Sequence, residues 1–442
     1  MNYPEIVHIG GEQTVTGSCH LVRACGITIM VDCGLYQGGD ADHSVELVPT
    51  VNPHEIDYLF LTHAHIDHIG RLPDLIATGF SGEIICSHPT KALLAPMLTD
   101  TMRLSGYSKN QEKKILAAIE ELSWGFEYNT SFKLKKGIEF KLGRAGHILG
   151  SSFISFKFPS VKASNAVAVT FSGDLGNKDT PILCDPDPPE HSDLLILEST
   201  YGDRLHEGRS QRQQKLRDVL GNAFRDGGKV FVPAFSLGRT QEFLFELDRL
   251  YGDKPPAPVF VDSPLGLKIT KIYSELSAFW DKESSSLLAS GDHPFDFNHL
   301  YSVASFREHK ELLEMPGPAI IIAGSGMCSG GRILDHLATG LADKRNDIFF
   351  VGYQAHGTLG RKIIEFSNRA NGYVLIGSRK VAIKAKVHKL SGYSAHADQK
   401  GLVDWVASML GKPGRIKLVH GELESRTALS EILLEKGYNV EP

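Results

Sequence analysis

The chain has 442 residues, longer than one small core usually holds, so its length predicts two domains. Hydrophobic residues make up 42% and charged residues 22%, which is ordinary for a soluble globular protein. The formal net charge of −5 excludes a strongly basic nucleic-acid binder, so any site for a polyanion must be a local patch or a metal centre.

Cysteine usage and hydropathy bear on the compartment. The six cysteines form no Cys-x-x-Cys pair, which indicates free thiols in a reducing environment. No apolar run approaches the roughly 20 residues needed to span a bilayer. We therefore expect a cytoplasmic protein with no membrane partner.

The first elements along the chain are short strands. Apolar runs separated by glycine-rich turns at residues 6–31 predict a β-meander. The strand at 27–31 leads into Asp32. That residue is either a turn former or a carboxylate that orients metal-bound histidines.

The most informative stretch is Thr-His-Ala-His-Ile-Asp-His-Ile-Gly at residues 62–70, after an apolar strand at 57–61. Side chains alternate along a strand, so His63 and His65 are expected to share one face. Asp67 and His68 follow as the chain turns towards a helix. Four ligands within six residues could serve one metal ion or two, and a chance pattern of this kind, in a solvated histidine loop, is rare.

Further polar residues follow predicted strands, after helices at 71–76 and 89–122. His147 lies between glycines, where a lone histidine is more often structural, but a catalytic zinc needs a third imidazole. Asp174 ends a strand at 167–174 and could bridge two cations or form a turn. Glu198 ends the next strand. Strand ends loaded in this way predict a site along one edge of a sheet.

The composition then changes to repeated βα units. Strands at 229–233, 259–263, 319–323 and 348–352 alternate with helices, which predicts a parallel sheet with helices on its faces. We expect an inserted domain at 204–376, between segments at 1–203 and 377–442. A glycine-rich turn at 323–331 is either an anion site at a helix N-terminus or merely a tight turn.

The strand-end residues suggest two metal sites. One set is His63, His65 and His147, the other is Asp67, His68 and His420, and Asp174 could bridge them. Imidazole and carboxylate ligands suit two zinc ions, which can share a hydroxide and clamp the oxyanion of a phosphodiester. His396 and Glu198 remain, and a histidine held by a carboxylate can protonate the leaving oxygen.

Over nearly its whole length the chain resembles the β-CASP nucleases of the metallo-β-lactamase superfamily. The resemblance rests on residues 63–68, His147, Asp174 and the segments 197–202, 233–242, 261–265, 394–398 and 419–422. It implies an α/β fold: an αββα metallo-β-lactamase sandwich interrupted by a parallel-sheet β-CASP domain. It also implies that Asp32 supports the site, that Asp67 is both ligand and catalytic residue, and that Glu198, His396 and His420 are motifs A, B and C.

Motif C bears on the substrate. In the family a histidine there goes with RNA-directed members and an apolar residue with DNA-directed ones, so His420 favours RNA. Phosphate contacts are expected in the cleft between the domains, although each candidate could equally be a surface residue or a cap: Arg239, Ser325, Arg332, Arg361 and Ser394. His356 stands where many relatives have an acidic residue, and a simple loop position is the better interpretation.

The sequence therefore predicts a ribonuclease with two Zn²⁺ per chain that cuts RNA internally rather than from a 5′ end. A DNA nuclease and a non-catalytic RNA-binding subunit are the alternatives. Hydrolysis of a small ester or lactam is disfavoured because the inserted domain would serve no purpose there. A homodimer is also expected, since it is common for such folds.

Overall fold

The computed structural model describes residues 4–43, 51–160, 166–252 and 254–441. The chain divides into two compact units. The first comprises Met1–Lys178, Leu183–Leu205 and His396–Pro442, and the second comprises Asp179–Ile182 and His206–Ala395. None of the helices in the described ranges combines the length and apolar character needed to cross a membrane.

The first unit contains two sheets. One has the order β1-β2-β3-β4-β5-β6, antiparallel through β3 and parallel from there on. Its strands are Glu5–Gly10, Cys19–Ala24, Ile27–Val31, Tyr58–Phe60, Glu83–Ser87 and Ser123–Phe126. The predicted meander is thus β1 to β3.

The other sheet has the order β21-β20-β11-β10-β9-β8-β7. Its strands, from β7 to β11 and then β20 and β21, are Ser131–Lys133, Glu139–Arg144, Ser152–Phe158, Val167–Phe171, Leu194–Glu198, Arg415–Val419 and Val440–Glu441. Strands β10, β11, β20 and β21 run parallel. Their carboxyl ends therefore lie at one edge.

The two sheets pack face to face through an aromatic core. The Phe60 ring lies 5.0 Å from that of Phe140 and 4.8 Å from that of Phe156, both edge-on. The unit's helices are Ile66–Ile69, Leu72–Ala77, His88–Leu104, Lys109–Leu122, Gln399–Ala407 and Leu423–Glu435. The last two cover the outer face of the second sheet, where Leu402 and Leu429 join Leu197 in a buried cluster. The predicted αββα sandwich is confirmed.

The second unit contains a six-stranded parallel sheet of order β14-β13-β15-β12-β16-β19. Its strands in chain order are Lys229–Pro233, Val259–Val261, Leu300–Ser302, Ala319–Ala323, Asp347–Phe350 and Lys386–Lys389. A hairpin adds β17, Tyr373–Ile376, and β18, Arg379–Ala382. The helices are Arg209–Ala223, Arg239–Tyr251, Pro264–Glu275, Lys282–Ala289, Phe306–Glu314, Ile333–Gly340 and Leu359–Ser367. The predicted parallel α/β insert is confirmed.

The C-terminal limit of the second unit differs from the predicted domain boundary at 376. Strand β19 pairs in parallel with β16, with Phe349 opposite His388, so the compact unit runs on to Ala395. The hairpin β17–β18 separates β19 from the preceding βα units along the chain. That interruption hides the last strand from a sequence pattern.

Candidate metal centre

The predicted ligands all belong to the first unit and follow the carboxyl ends of its strands. His63 and His65 follow β4, His147 follows β8, Asp174 follows β10 and His420 follows β20, while Asp67 and His68 lie in the helix Ile66–Ile69. Strand β4 ends at Phe60, so His63 and His65 stand in a loop rather than on one face of a strand. Their rings nevertheless meet, with centroids 4.9 Å apart.

The first predicted set converges around Asp174. His65 Nδ1 lies 3.1 Å from both His63 Nε2 and His147 Nε2. Asp174 Oδ2 lies 3.6 Å from each of those two Nε2 atoms. These four residues offer one ligand atom each, and the four atoms all lie within 4.8 Å of one another.

The second set shares the same carboxylate. Asp174 Oδ2 is 3.3 Å from His68 Nε2, and Asp174 Oδ1 is 3.4 Å from His420 Nε2. Asp67 Oδ2 lies 3.9 Å from His68 Nε2. Asp174 therefore stands between the two sets, in the bridging place that the sequence suggested.

The spacing of the donor atoms matches that of ligands around a zinc ion, and several of these atoms make no hydrogen bond to the residues that the structure describes. Ligands bound to zinc at about 2.0–2.1 Å lie about 3.3 Å apart in a tetrahedron, which is near the separations of 3.1–3.6 Å between neighbouring donors here. His68 Nε2, His420 Nε2 and Asp174 Oδ1 are buried without a hydrogen-bond partner in the described chain. Buried polar atoms in that state cost free energy, and a bound cation would remove the cost.

Asp32 lies behind His68, as a supporting carboxylate. Its Oδ2 accepts from His68 Nδ1 over 2.7 Å, and its Oδ1 accepts from the Thr62 backbone N–H over 2.8 Å. Its φ of 60° is a left-handed conformation that residues other than glycine rarely adopt. Of the two alternatives for Asp32, the contacts favour the residue that orients a metal ligand.

Burial and neighbouring charges act in opposite directions on the pKa values of the metal-binding candidates. Burial alone would lower the pKa of His68, but the charges of Asp174 and Asp32 outweigh it and raise that pKa well above its ordinary value. Burial alone would raise the pKa of Asp174, but the surrounding imidazoles hold it well below its usual range. For His63, burial prevails and lowers the pKa.

Glu198 and His396 form a pair beside the ligands. His396 Nδ1 donates to Glu198 Oε1 and Oε2 over 3.1 and 3.2 Å, and Glu198 is 1% exposed. Glu198 Oε1 also accepts from the Leu175 backbone N–H over 2.7 Å, which fixes the carboxylate. Burial acts to lower the pKa of His396, but Glu198 and Asp174 outweigh it and raise the pKa. Glu198 thus fixes the orientation of the His396 imidazole, which is the arrangement of a general acid held by a carboxylate.

Three family models match this chain. They are described as the metallo-beta-lactamase superfamily, over residues 14–151, the Beta-Casp domain, over 240–363, and the Zn-dependent metallo-hydrolase RNA specificity domain, over 380–441. Ribonuclease TTHA0252 of Thermus thermophilus is 36% identical over 435 residues, which cover 98% of this chain and 97% of that protein. The chain belongs to the β-CASP family of the metallo-β-lactamase superfamily. By family it is a metal-dependent hydrolase.

This β-CASP protein is also similar to longer relatives. Cleavage and polyadenylation specificity factor 73 of Drosophila melanogaster is 28% identical over 450 residues, covering 99% of this chain but 62% of that protein. Transcription termination factor FttA of Methanocaldococcus jannaschii is 29% identical over 425 residues, covering 94% and 66%. A crystal structure of a protein of unknown function from Enterococcus faecalis V583 shares the fold, with a TM-score of 0.56, 13% identity, and coverage of 99% and 97%.

The five predicted RNA contacts of the β-CASP protein lie in the second unit, and two of the arginines are engaged there. Arg239 is 4% exposed, and its guanidinium donates to the Tyr393 carbonyl and pairs with Glu242. Arg332 donates to Asp262 Oδ1 over 2.7 Å and to two backbone carbonyls. Both arginines therefore have structural partners within the second unit.

The other three candidates have mixed surroundings. Ser325 Oγ accepts from the Ser329 backbone N–H over 2.9 Å, so it shapes the glycine-rich turn. Arg361 Nε donates to Glu365 over 2.7 Å on a half-buried helix face, and Ser394 is buried. All five RNA contacts stay predictions. His356 is exposed in a turn.

A buried cluster in the second unit escaped the sequence reasoning. Asp262 Oδ2 accepts from His309 Nδ1 and from His336 Nε2, each over 2.6 Å, while its Oδ1 accepts from Arg332. These are hydrogen-bond lengths, shorter than the spacing of ligands around a zinc ion, and a guanidinium already neutralises the carboxylate. The cluster is a hydrogen-bond network. Asp262 lies within a family motif, but neither histidine carries a local signal.

Proposed function

We propose that this β-CASP protein is a zinc-dependent ribonuclease that hydrolyses RNA phosphodiester bonds, with two Zn²⁺ per chain. The observation that carries the proposal is the pair of ligand sets sharing Asp174, next to the His396–Glu198 pair. Two zinc ions bound there would supply a hydroxide nucleophile near neutral pH and would neutralise charge on the phosphodiester.

Side chains of the protein would supply the proton that the leaving group needs. Glu198 holds His396 by its Nδ1–H, so the Nε2 proton is free to pass to the O3′ atom that leaves phosphorus. The products are a 3′-hydroxyl and a 5′-phosphate. Asp67, with a side chain 19% exposed, is the most accessible carboxylate of the sets and is proposed as both ligand and catalytic residue.

RNA is preferred over DNA on two grounds. His420 occupies motif C, and residues 380–441 match the RNA specificity domain. Internal cleavage is proposed because a relative from Schizosaccharomyces pombe is named endoribonuclease ysh1, at 28% identity. Assays on matched RNA and DNA strands test the first choice, and a preference for DNA would contradict it. We also propose a homodimer in a reducing cytoplasm, and sedimentation tests the assembly. The six cysteines all lie in the described part of the chain, and none of them forms a disulfide there.

Cleavage of an RNA labelled at each end, with zinc measured on the same sample, is the decisive experiment. We expect about two zinc ions per chain and a ladder of internal products. Asp174→Ala should lose zinc and cleavage because it removes the atoms shared by both sets. His356→Ala, at an exposed turn position, is the control. Full cleavage by Asp174→Ala would rule out the two-metal mechanism, and zinc binding without cleavage would favour a non-catalytic RNA-binding subunit.

A further inference from the structure

A chain of hydrogen bonds leads away from the metal centre through the first unit. Asp32 Oδ2, which accepts from His68, lies 3.2 Å from Ser18 Oγ. Ser18 Oγ lies 3.4 Å from His20 Nε2, and His20 Nδ1 lies 2.8 Å from His8 Nδ1. Ser18, His20 and His8 do not belong to the ligand sets.

The carboxylate determines which way every hydrogen points. Asp32 can only accept, so the Ser18 hydroxyl donates to it and is left to accept from His20 Nε2–H. His20 Nδ1 then carries a lone pair and accepts from His8 Nδ1–H. Burial lowers the pKa of His20 well below its ordinary value, which favours the neutral ring that this pattern requires.

Two paired strands fix the positions of the hydrogen-bonded histidines. His8 on β1 stands directly opposite His20 on β2 in the antiparallel register. His20 is 4% exposed, and its ring stacks on Phe171 with centroids 5.8 Å apart. Leucine would fill such a core position without the cost of burying a polar ring. The hydrogen bonds at both ring nitrogens are what histidine adds.

We propose that Ser18 and His20 are positioning residues of the metal centre. They hold Asp32 Oδ2 against His68 Nδ1–H. A His68 ring with its proton on Nδ1 can offer Nε2 to a zinc ion, and that atom lies 3.3 Å from Asp174 Oδ2. The inference rests on the proposed function only in that the ligand sets bind zinc. Its target is the affinity of the set that contains His68.

Zinc affinity, measured by competition with a chromophoric chelator, separates positioning from packing. We expect His20→Leu to weaken binding of one zinc ion about tenfold, at the lower end of the range for residues that support a ligand. His20→Gln keeps an N–H near the place of Nε2 and should restore most of the affinity. Ser18→Ala should match His20→Leu, and the double variant should lose no more than either, because both act through Asp32.

Two further measurements complete the design. Ser155→Ala removes a hydroxyl that bonds to Thr170 over 3.1 Å in the same unit, away from Asp32, and should bind zinc as the wild type does. In the zinc-loaded protein, where the His68 ring is neutral, its ¹⁵N resonances should show the same hydrogen-bonded Nδ1–H in the wild type and in His20→Gln. They should shift in His20→Leu.

Unchanged zinc affinity in His20→Leu and Ser18→Ala, with only a lower melting temperature, would reduce both residues to packing and overturn the inference. If His20→Leu does not fold, the comparison of Ser18→Ala with His20→Gln decides the question in the same way. A wild-type chain that binds two zinc ions without cleaving RNA overturns the proposed function alone. A chain that binds no zinc overturns both.

Discussion

His396 is the residue at which acid catalysis and metal binding can be told apart. Its Nδ1 donates to Glu198, but it also lies 3.9 Å from Asp174 Oδ2 and so could complete a ligand set. We expect His396→Ala to keep both zinc ions and to slow cleavage about 10²–10⁴-fold, the usual contribution of a general acid. Single-turnover cleavage and zinc content on one sample test this, and loss of a zinc ion would make His396 a ligand.

The identities of the metal-binding candidates could be predicted from sequence because few other arrangements explain His, Asp and Glu at successive strand ends. The predicted local structure of two of these residues is wrong. His63 and His65 were placed on one face of a strand, whereas β4 ends at Phe60 and a loop carries both. The support of Asp32 by Ser18 and His20 could not be predicted, since hydrogen bonds between distant residues leave no periodic pattern.

At the scale of helices and strands, buried charges tie the second unit together. Arg212 donates to Glu246 over 2.9 Å and to the Gly392 carbonyl, also over 2.9 Å. Arg239 and Glu242 lie beside them, each no more than 4% exposed. The helices Arg209–Ala223 and Arg239–Tyr251 are thereby joined to the segment around residue 392. The sequence predicts an RNA contact for Arg239, and that contact stays a prediction; its buried partner Glu242 could not be predicted from a local motif.

We expect Arg239→Ala to lower the free energy of unfolding by about 1–3 kcal/mol, because buried Glu242 loses one of the two cations that the described chain places beside it and keeps Arg212, at 3.3 Å. Arg361→Ala, which removes a partly exposed pair with Glu365, should cost no more than about 1 kcal/mol. Urea unfolding of both variants provides the comparison. Wild-type stability together with weaker RNA binding in Arg239→Ala would instead support the predicted phosphate contact.

The network around Asp262 should make the stability of the second unit depend on pH. Burial alone would raise the pKa of Asp262, but donation from two histidines and an arginine holds it below its usual value. Burial lowers the pKa of His336. Both unfolded groups therefore bind protons more readily than the folded ones. Stability should fall as pH drops below about 6.5, through His336, and again below about 3.9, through Asp262.

Asp262→Asn should cost about 1–3 kcal/mol at pH 7, because it removes the charged acceptor on which the buried His309 and His336 rings depend. It should also remove the part of the acid loss below about pH 3.9 that Asp262 causes, and leave the part due to His336. Asp335→Asn is the matched control, since the Asp335 side chain is 59% exposed although it lies 3.2 Å from His309. Unfolding free energies at pH 7, 4 and 3 test the slope below the ordinary pKa of an aspartate, about 3.9. Parallel pH profiles for the wild type and Asp262→Asn below about pH 4 would contradict the assignment.

For the whole molecule, the two compact units should respond differently to metal removal. All seven predicted ligands lie in the first unit, although they come from sequence positions between 63 and 420. Bound zinc would therefore join segments that the inserted unit separates along the chain. The parallel sheet of the second unit contributes none of these ligands. Such a division follows from the order of segments and could be predicted, whereas the place of β19 could not.

Chelation of zinc should accordingly destabilise the first unit selectively. An ion present at 1,000 times its dissociation constant stabilises the folded state by about 4 kcal/mol, and removal reverses that gain. Hydrogen exchange should then quicken in β4, β10 and β20, which lead into the ligands, while β12 and β15 keep their protection. The Asp174→Ala variant should resemble the chelated wild type and should not respond further to chelator. Equal loss of protection in the sheets of both units would show that the metal centre stabilises the chain as one cooperative structure.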